Sequence, residues 1–329
     1  MVQQANEEQL IRNDDAMQYR QLGRTGLSVS ALSFGCMRLG EDRELNTELV
    51  SAAVDAGVNY FETTRGYCGG QCQHRTAPGL KGKTKGVIVS GKAGVGPDTT
   101  AHSFLHEVER QLDILGVTHF KFFQVGWLSW ENVKHLLKAG GALEGIREAQ
   151  RSGLIHHIGF TGHDTPENFI TCCETGLFDS ITVQYNMFNR RYERCIARAA
   201  ELGMGVVAMS PVAGGALALH SDALKESFEL DLSTPAISLR FVLSNPHIST
   251  ACSGMSTLEQ LRENVETAGS FQQGGKDEFG DMCARLDRLM EKLGGSLCTA
   301  CHYCMPCPQD VMIPRYMEIY RTLRFFDSD

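Results

Sequence analysis

Eight short apolar runs recur along the chain with longer stretches between them, and this repetition limits the fold more than any other feature. The runs are ALSFG (31–35), NYF (59–61), GVIVSG (86–91), FKFFQV (120–125), LIHHIGF (154–160), SITVQY (180–185), GVVAMS (205–210) and HISTAC (247–252). Most gaps carry a helical pattern, as in ELNTELVSAAVDAG, SFLHEVERQLDILG, GALEGIREAQRSG and ERCIARAAELG, and several close on Gly, the usual residue just past a helix end. Strict alternation of strand and helix predicts parallel strands joined by right-handed crossovers. Eight such units predict a closed (β/α)8 barrel, the TIM barrel, rather than an open doubly wound sheet.

Ahead of the barrel, YRQLGRTGLSVS (19–30) reads as two short strands around a Gly-Arg-Thr-Gly turn. Residues 1–18 form a polar arm, 19–270 the barrel with its hairpin, and 271–329 an extension. The extension holds a Gly-rich patch, the helical pattern DMCARLDRLMEKLGG, a cysteine run, and a last helix over PRYMEIYRTLRFF.

A formal charge of -8 argues against nucleic acid as a partner, because phosphate binding shows as a basic surplus. No apolar run approaches the roughly 18 residues that cross a bilayer. The acidic first twenty residues lack a signal-type stretch, so the twelve cysteines point to reduced thiols, metal ligation and the cytoplasm. A small-molecule substrate is the expected partner.

In such a barrel catalytic groups lie at the C-terminal ends of strands. The second strand runs into Glu62-Thr63-Thr64-Arg65-Gly66-Tyr67, and the third ends at Gly91-Lys92. A carboxylate, a phenol and an amine therefore share one face. An ammonium beside the phenol is expected to lower its pKa, and the carboxylate to hold that ammonium in place. Such a tyrosine can give a proton to a developing alkoxide.

The order of segments resembles the aldo-keto reductase family from Tyr19 to Asn264. YRQLGRTGLSVSALSFGCMRLG is similar to its start, NYFETTRGYCGG to its aspartate-to-tyrosine signature, GVIVSGK to its lysine strand, and GLIHHIGFTGH to its fifth strand. FDSITVQYN, GVVAMSPVAGG and SGMSTLEQLREN resemble its cofactor-binding segments. The resemblance implies hydride transfer between NADP or NAD and a carbonyl, with Tyr67 as general acid, Lys92 as its partner, and Glu62 where the family has aspartate. Gly126 stands where the family has a histidine, leaving space and no donor. Trp127, Gln124 and His163 are the candidates to replace it, although a structural role is the plainer reading of each.

By the same resemblance, Thr161 and Gln184 bond the nicotinamide carboxamide, and Ser210 through Gly214 and Gly215 wraps the pyrophosphate. Gln260 and Asn264 hold the adenine end. Met209 replaces the tyrosine that many relatives stack on the ring. The lysine and arginine that grip the 2'-phosphate of NADP correspond to Gly254 and Gln260, with Arg262 the nearby cation.

Near the C-terminus, Cys298, Cys301, Cys304 and Cys307 give C-x2-C-x2-C-x2-C-P. Bacterial ferredoxins use a closely similar spacing, whereas structural zinc separates its ligands into two pairs. The run predicts a [4Fe-4S] cluster, shielded by Met305, Pro306, Val311, Met312, Ile313 and Pro314, with Cys283 a weaker ligand candidate. It also resembles the tail of an aldo-keto reductase branch with a ferredoxin-type C-terminus. Cys36, Cys68, Cys72 and His74 offer ligand types for a second metal, but small loop residues that drifted to Cys explain them more simply. The leading expectation is thus a nicotinamide-dependent oxidoreductase with an iron–sulfur module. Its rivals are an electron-transfer protein that serves a redox partner, and a barrel repurposed for elimination or proton abstraction.

Overall fold

The computed structural model describes residues 17–271, 276–292 and 304–326. A hairpin opens the fold: β1 (Tyr19–Gln21) pairs antiparallel with β2 (Ser28–Ser30). Eight parallel strands follow: β3 (Leu32–Gly35), β4 (Tyr60–Glu62), β5 (Ile88–Gly94), β6 (Phe120–Gly126), β7 (Ile155–Thr161), β8 (Ser180–Gln184), β9 (Gly205–Met209) and β10 (Thr250–Ser253). They close in sequence order, with β10 returning to β3 and Cys252 beside Ser33. Each of the eight apolar runs is a barrel strand.

Two strand boundaries, the end of β5 and the start of β10, move by three residues from their expected places. β5 continues past Lys92 because its ladder with β6 runs on, Lys92 facing Gln124 and Gly94 facing Gly126. Lys92 therefore projects from within the strand, not from its end. β10 starts late, because the Asn245 carboxamide accepts the His247 N–H at 3.0 Å and turns the chain before the strand begins.

Side chains alternate across each strand, so every second residue faces the barrel interior. Tyr60, Ile88, Phe122 and Val207 fill that interior, together with Leu22 and Val29 from the hairpin. The hairpin thereby plugs the barrel's N-terminal end. Its seat requires a glycine: a Cβ on Gly205 would stand 2.5 Å from Leu22 Cδ1. Phe61, Val89 and Phe123 face outward and join the larger core under the helices. Each fully buried side chain of this size contributes roughly 1.5–3 kcal/mol.

The helices begin and end by ordinary local rules. Ala101–Leu115 starts in a reciprocal Thr100–Ser103 capping box and ends at Gly116, whose φ of 66° is left-handed. Beyond the barrel, the helix Lys276–Lys292 lies against the helices Asp222–Phe228 and Thr234–Ser244. Phe279 meets Phe241 there at 6.1 Å between ring centres, and Arg190 bonds Asp287 at 2.7 Å. Among the described residues no helix is long and apolar enough to cross a membrane.

Candidate active site

The inward positions at the C-terminal end of the barrel carry Glu62 from β4, Ser90 and Lys92 from β5, and Gln124 from β6. Lys92 Nζ donates to Glu62 Oε1 at 2.7 Å and to Tyr67 Oη at 3.0 Å. Gln124 Nε2 donates to the other carboxylate oxygen at 3.1 Å. The longer glutamate thus still reaches the lysine, and both its oxygens are engaged.

Tyr67 reaches this group because its loop is tied to β5. The Thr63 hydroxyl donates to Ser90 O at 3.0 Å, and the Thr64 hydroxyl to Lys92 O at 3.1 Å. Tyr67 N–H then donates to Thr64 O, which folds the phenol back over Lys92.

Burial of Lys92 disfavours its charge, but Glu62 and then Tyr67 outweigh that and hold the ammonium above its usual pKa. For Tyr67 the expectation reverses. Burial is the largest influence and raises the phenol; Lys92 pulls it down, Glu62 pushes it up, and the net shift is upward. The lysine's charge is already spent on Glu62, so Tyr67 remains a protonated phenol and a proton donor.

Gly126 does not leave the expected space. A Cβ there would stand 2.7 Å from Lys92 Cγ, because the lysine stem runs across it. Of the three stand-ins, Gln124 is fully buried and turned to Glu62, Ser90 and Tyr60. Trp127 is half exposed with φ 53°, its indole lying over Gly66 and Gly94. His163 lies on the rim beyond β7, its imidazole lowered by burial and then by Arg191 and Lys92.

A cleft of about 350 Å³ leads away from Glu62 and Tyr67, between the ends of β3, β9 and β10. Met209, Ser210, Gly214, Gly215, Gln260 and Asn264 line it. Ser210 has φ 59°, and Asn186 Nδ2 fixes that turn by donating to Ser210 O at 2.9 Å. Gly214 and Gly215 have φ of 69° and 109°, so a bare backbone faces the cleft. At the far end Gln260 Oε1 accepts the Ser256 N–H at 2.8 Å, and Asn264 Nδ2 donates to Ser253 Oγ at 3.1 Å. Thr161 and Gln184 end β7 and β8 and are not among its lining residues; Gln184 is the register partner of Met209, which is.

The sequence reading passed over Arg38, the one cationic side chain among the described residues lining the cleft. Its stem packs where a Gly254 Cβ would be, 2.6 Å from Cγ, and Nη2 donates to Gly214 O at 3.1 Å. The Met-Arg pair after the first barrel strand was the available signal.

The other thiols serve packing. Cys72 Sγ donates to Cys36 O at 3.5 Å and Cys68 Sγ to Met37 O at 3.4 Å, while His74 faces a separate pocket with Arg43 and Arg75. Cys298 and Cys301 lie outside the described residues. Among the described residues no group of three or more His, Cys, Asp or Glu could hold a metal ion. Val311 and Met312, expected to shield a cluster, are 40% and 55% exposed.

The family model "Aldo/keto reductase family" matches residues 31–282. Uncharacterized oxidoreductase YqkF of Bacillus subtilis is 25% identical over 288 residues, spanning 77% of this chain and 92% of its own. L-galactose dehydrogenase of Arabidopsis thaliana is 23% identical over 318 residues, spanning 84% and 95%. Among solved structures, the holo form of aldo-keto reductase AKR11C1 from Bacillus halodurans matches with a TM-score of 0.70 at 23% identity, covering 82% of this chain and 96% of its own. At that identity the structural likeness speaks to the fold alone. The family match over most of the chain, on a hairpin-plugged barrel of this topology, places the chain in the aldo/keto reductase family of oxidoreductases.

Proposed function

We propose that the protein reduces the carbonyl of a small substrate with a nicotinamide cofactor held in the cleft, Tyr67 giving the proton to the product oxygen. The observation that carries this reading is Tyr67 Oη, hydrogen-bonded to Lys92 at 3.0 Å and opening onto a glycine-walled cleft. The cleft suits a dinucleotide: the bare backbone of Gly214 and Gly215 lets a pyrophosphate come close, the Gly215 N–H itself being taken by Val212 O. Ser210, Gly214 and Gly215 would hold the pyrophosphate, Gln260 and Asn264 the adenine end, and Thr161 and Gln184 the carboxamide. A nicotinamide held there would supply the hydride for the carbonyl carbon.

The chain's own residues do the rest. Tyr67, kept protonated by burial, donates from Oη to the carbonyl oxygen as negative charge develops there. Lys92 stabilises the phenolate that remains, and Glu62 keeps Lys92 in place. Gly126 adds no second donor, so polarisation of the oxygen falls on Tyr67. Titration of the purified protein with NADPH and NADH, followed by nucleotide fluorescence, tests the reading: at least one should bind, and binding of neither would overturn it.

We also propose that Cys298, Cys301, Cys304 and Cys307 carry a [4Fe-4S] cluster. The support is their soft thiolate set at two-residue spacing; Cys304 is exposed and Cys307 half-buried. Such a group would supply one-electron chemistry or a structural staple, and the reduction above requires neither. Iron and acid-labile sulfide should be present in about equal amounts after anaerobic purification. A protein free of both overturns the assignment.

A further inference from the structure

The turn that carries Tyr67 also carries two thiols that can do more than pack. Cys68 and Cys72 belong to GYCGGQCQ, and the chain folds back between them. Cys68 O accepts the Gln71 N–H at 3.2 Å, and Tyr67 O accepts the Cys72 N–H at 3.3 Å. Both thiols thereby reach one acceptor, Cys36 O, at 3.7 Å from Cys68 Sγ and 3.5 Å from Cys72 Sγ. They are also hydrogen-bonded to each other.

The three sulfurs of this corner are unequal. Cys36 and Cys72 are fully buried, whereas Cys68 is half-buried and within reach of a reagent. Burial pushes the Cys36 thiol well up, and Cys72 adds to that. Cys72 is held below the usual thiol value, first by its hydrogen bond with Cys36, against the cost of burial. Burial raises Cys68, with Cys72 adding to it and Arg75 opposing. One reachable thiol thus stands beside one that leans toward thiolate, as an attacking and a resolving cysteine do.

We propose that Cys68 and Cys72 are a redox-modification site that closes to a disulfide and, in closing, draws Tyr67 away from Lys92. The oxidant is a low-molecular-weight disulfide. The Cys68 thiolate attacks one of its sulfurs and expels one small thiol. The Cys72 thiolate then attacks the Cys68 sulfur of the mixed disulfide and expels the second. Both protein thiols lose their protons, two electrons pass to the reagent, and excess small thiol reverses the exchange.

Closure takes from Cys68 Sγ its contacts with Met37 O at 3.4 Å and Leu39 O at 3.5 Å, which tie the Tyr67 turn to the segment after β3. Gly69 and Gly70, with φ of 62° and 90°, let that turn rearrange. Tyr67 precedes Cys68 directly, so its 3.0 Å bond to Lys92 is exposed to the change. The segment after β3 stays in place, because Arg75 Nη1 still donates to Leu39 O at 2.8 Å. The effect on reduction rests on the role proposed for Tyr67 above; the bridge itself does not.

The test equilibrates the full-length protein with oxidised glutathione, blocks the remaining thiols with iodoacetamide and digests with trypsin. Cleavage after Arg65 and Arg75 leaves both cysteines in one peptide, 66–75. That peptide should be unalkylated and lighter by two hydrogens than its reduced form, and dithiothreitol should restore it. Carbonyl turnover should fall at least about tenfold on oxidation, as for a misplaced reacting group, while nucleotide affinity holds. Cys68→Ser should keep its turnover under the same treatment. Two alkylated thiols after oxidation, glutathione retained on Cys68, or a bridge from Cys72 to Cys36 overturns the proposal. So does a Cys68–Cys72 bridge that leaves turnover unchanged, or an equal loss in Cys68→Ser. Absence of turnover in the reduced protein sinks the reductase reading instead, and the mass of peptide 66–75 still decides the bridge.

Discussion

Lys92 Nζ lies 2.7 Å from Glu62 Oε1, and the two side chains are 2% and 5% exposed. A pair this dry holds together because each charge is the other's main compensation. Removing one partner leaves an uncompensated charge in the barrel, at a cost of about 3–5 kcal/mol. Glu62→Gln and Lys92→Met should each lose about that much in urea unfolding. The double variant should lose less than the sum, because no lone charge remains. Additive losses would show that the pair does not act as a unit.

The same pair decides the pH dependence of reduction. Burial, with Glu62 adding to it and Lys92 opposing, holds the Tyr67 phenol above its usual pKa. Its protonated form persists past the ordinary tyrosine value of about 10. The kcat/KM for carbonyl reduction should therefore stay flat across neutral and mildly alkaline pH and fall only beyond about pH 10. A fall near pH 8 would mean that Lys92 wins over burial. For stability the sign is the same for both groups, since each folded pKa is raised. Their contribution is complete below the unfolded values and is lost as pH rises through the folded ones.

Tyr67→Phe isolates the proton donor. The ring still fills its place over Lys92, but no hydroxyl faces the carbonyl. Reduction should drop by about 100-fold or more, the usual scale for one general acid, while nucleotide affinity changes little. A variant with unimpaired kcat would remove Tyr67 from the chemistry.

Restoring the family's histidine should harm this protein. Lys92 Cγ would be 2.7 Å from the Cβ of any side chain at position 126. Gly126→His must push the lysine stem aside and pull Nζ away from Glu62 and Tyr67. A loss of about 1–3 kcal/mol is expected from overpacking alone, with kcat falling as well. A gain in kcat would show that the site accepts both groups.

The barrel was legible because its signal is long-range and repeated eight times, so errors of a few residues at strand ends did not alter the topology. The Tyr67–Lys92–Glu62 group was legible for a related reason: strand alternation and strand ends fix where those side chains point. What remained hidden depended on volume and competition. Gly126 reads as open space in one dimension, and only packing shows Lys92 crossing it. The phenol's shift depends on which of three opposed influences is largest. Arg38 was missed because it meets the cleft from the turn after β3, with no fixed spacing from the motifs.

The hairpin supports the site from below. Leu22 is fully buried inside the barrel beneath Tyr60, which lies one inward position under Glu62 on β4. Gly205 makes room for Leu22, whose Cδ1 would be 2.5 Å from a Cβ at that position. Leu22→Ala should cost about 2–5 kcal/mol through lost burial and the cavity left behind. Gly205→Val should also destabilise, because it forces Leu22 from its seat. Both changes lie at the opposite end of the barrel from Tyr67, so nucleotide affinity at low temperature should hold while the thermal midpoint falls. If either variant lost affinity in step with stability, the hairpin would be part of the cofactor site rather than its foundation.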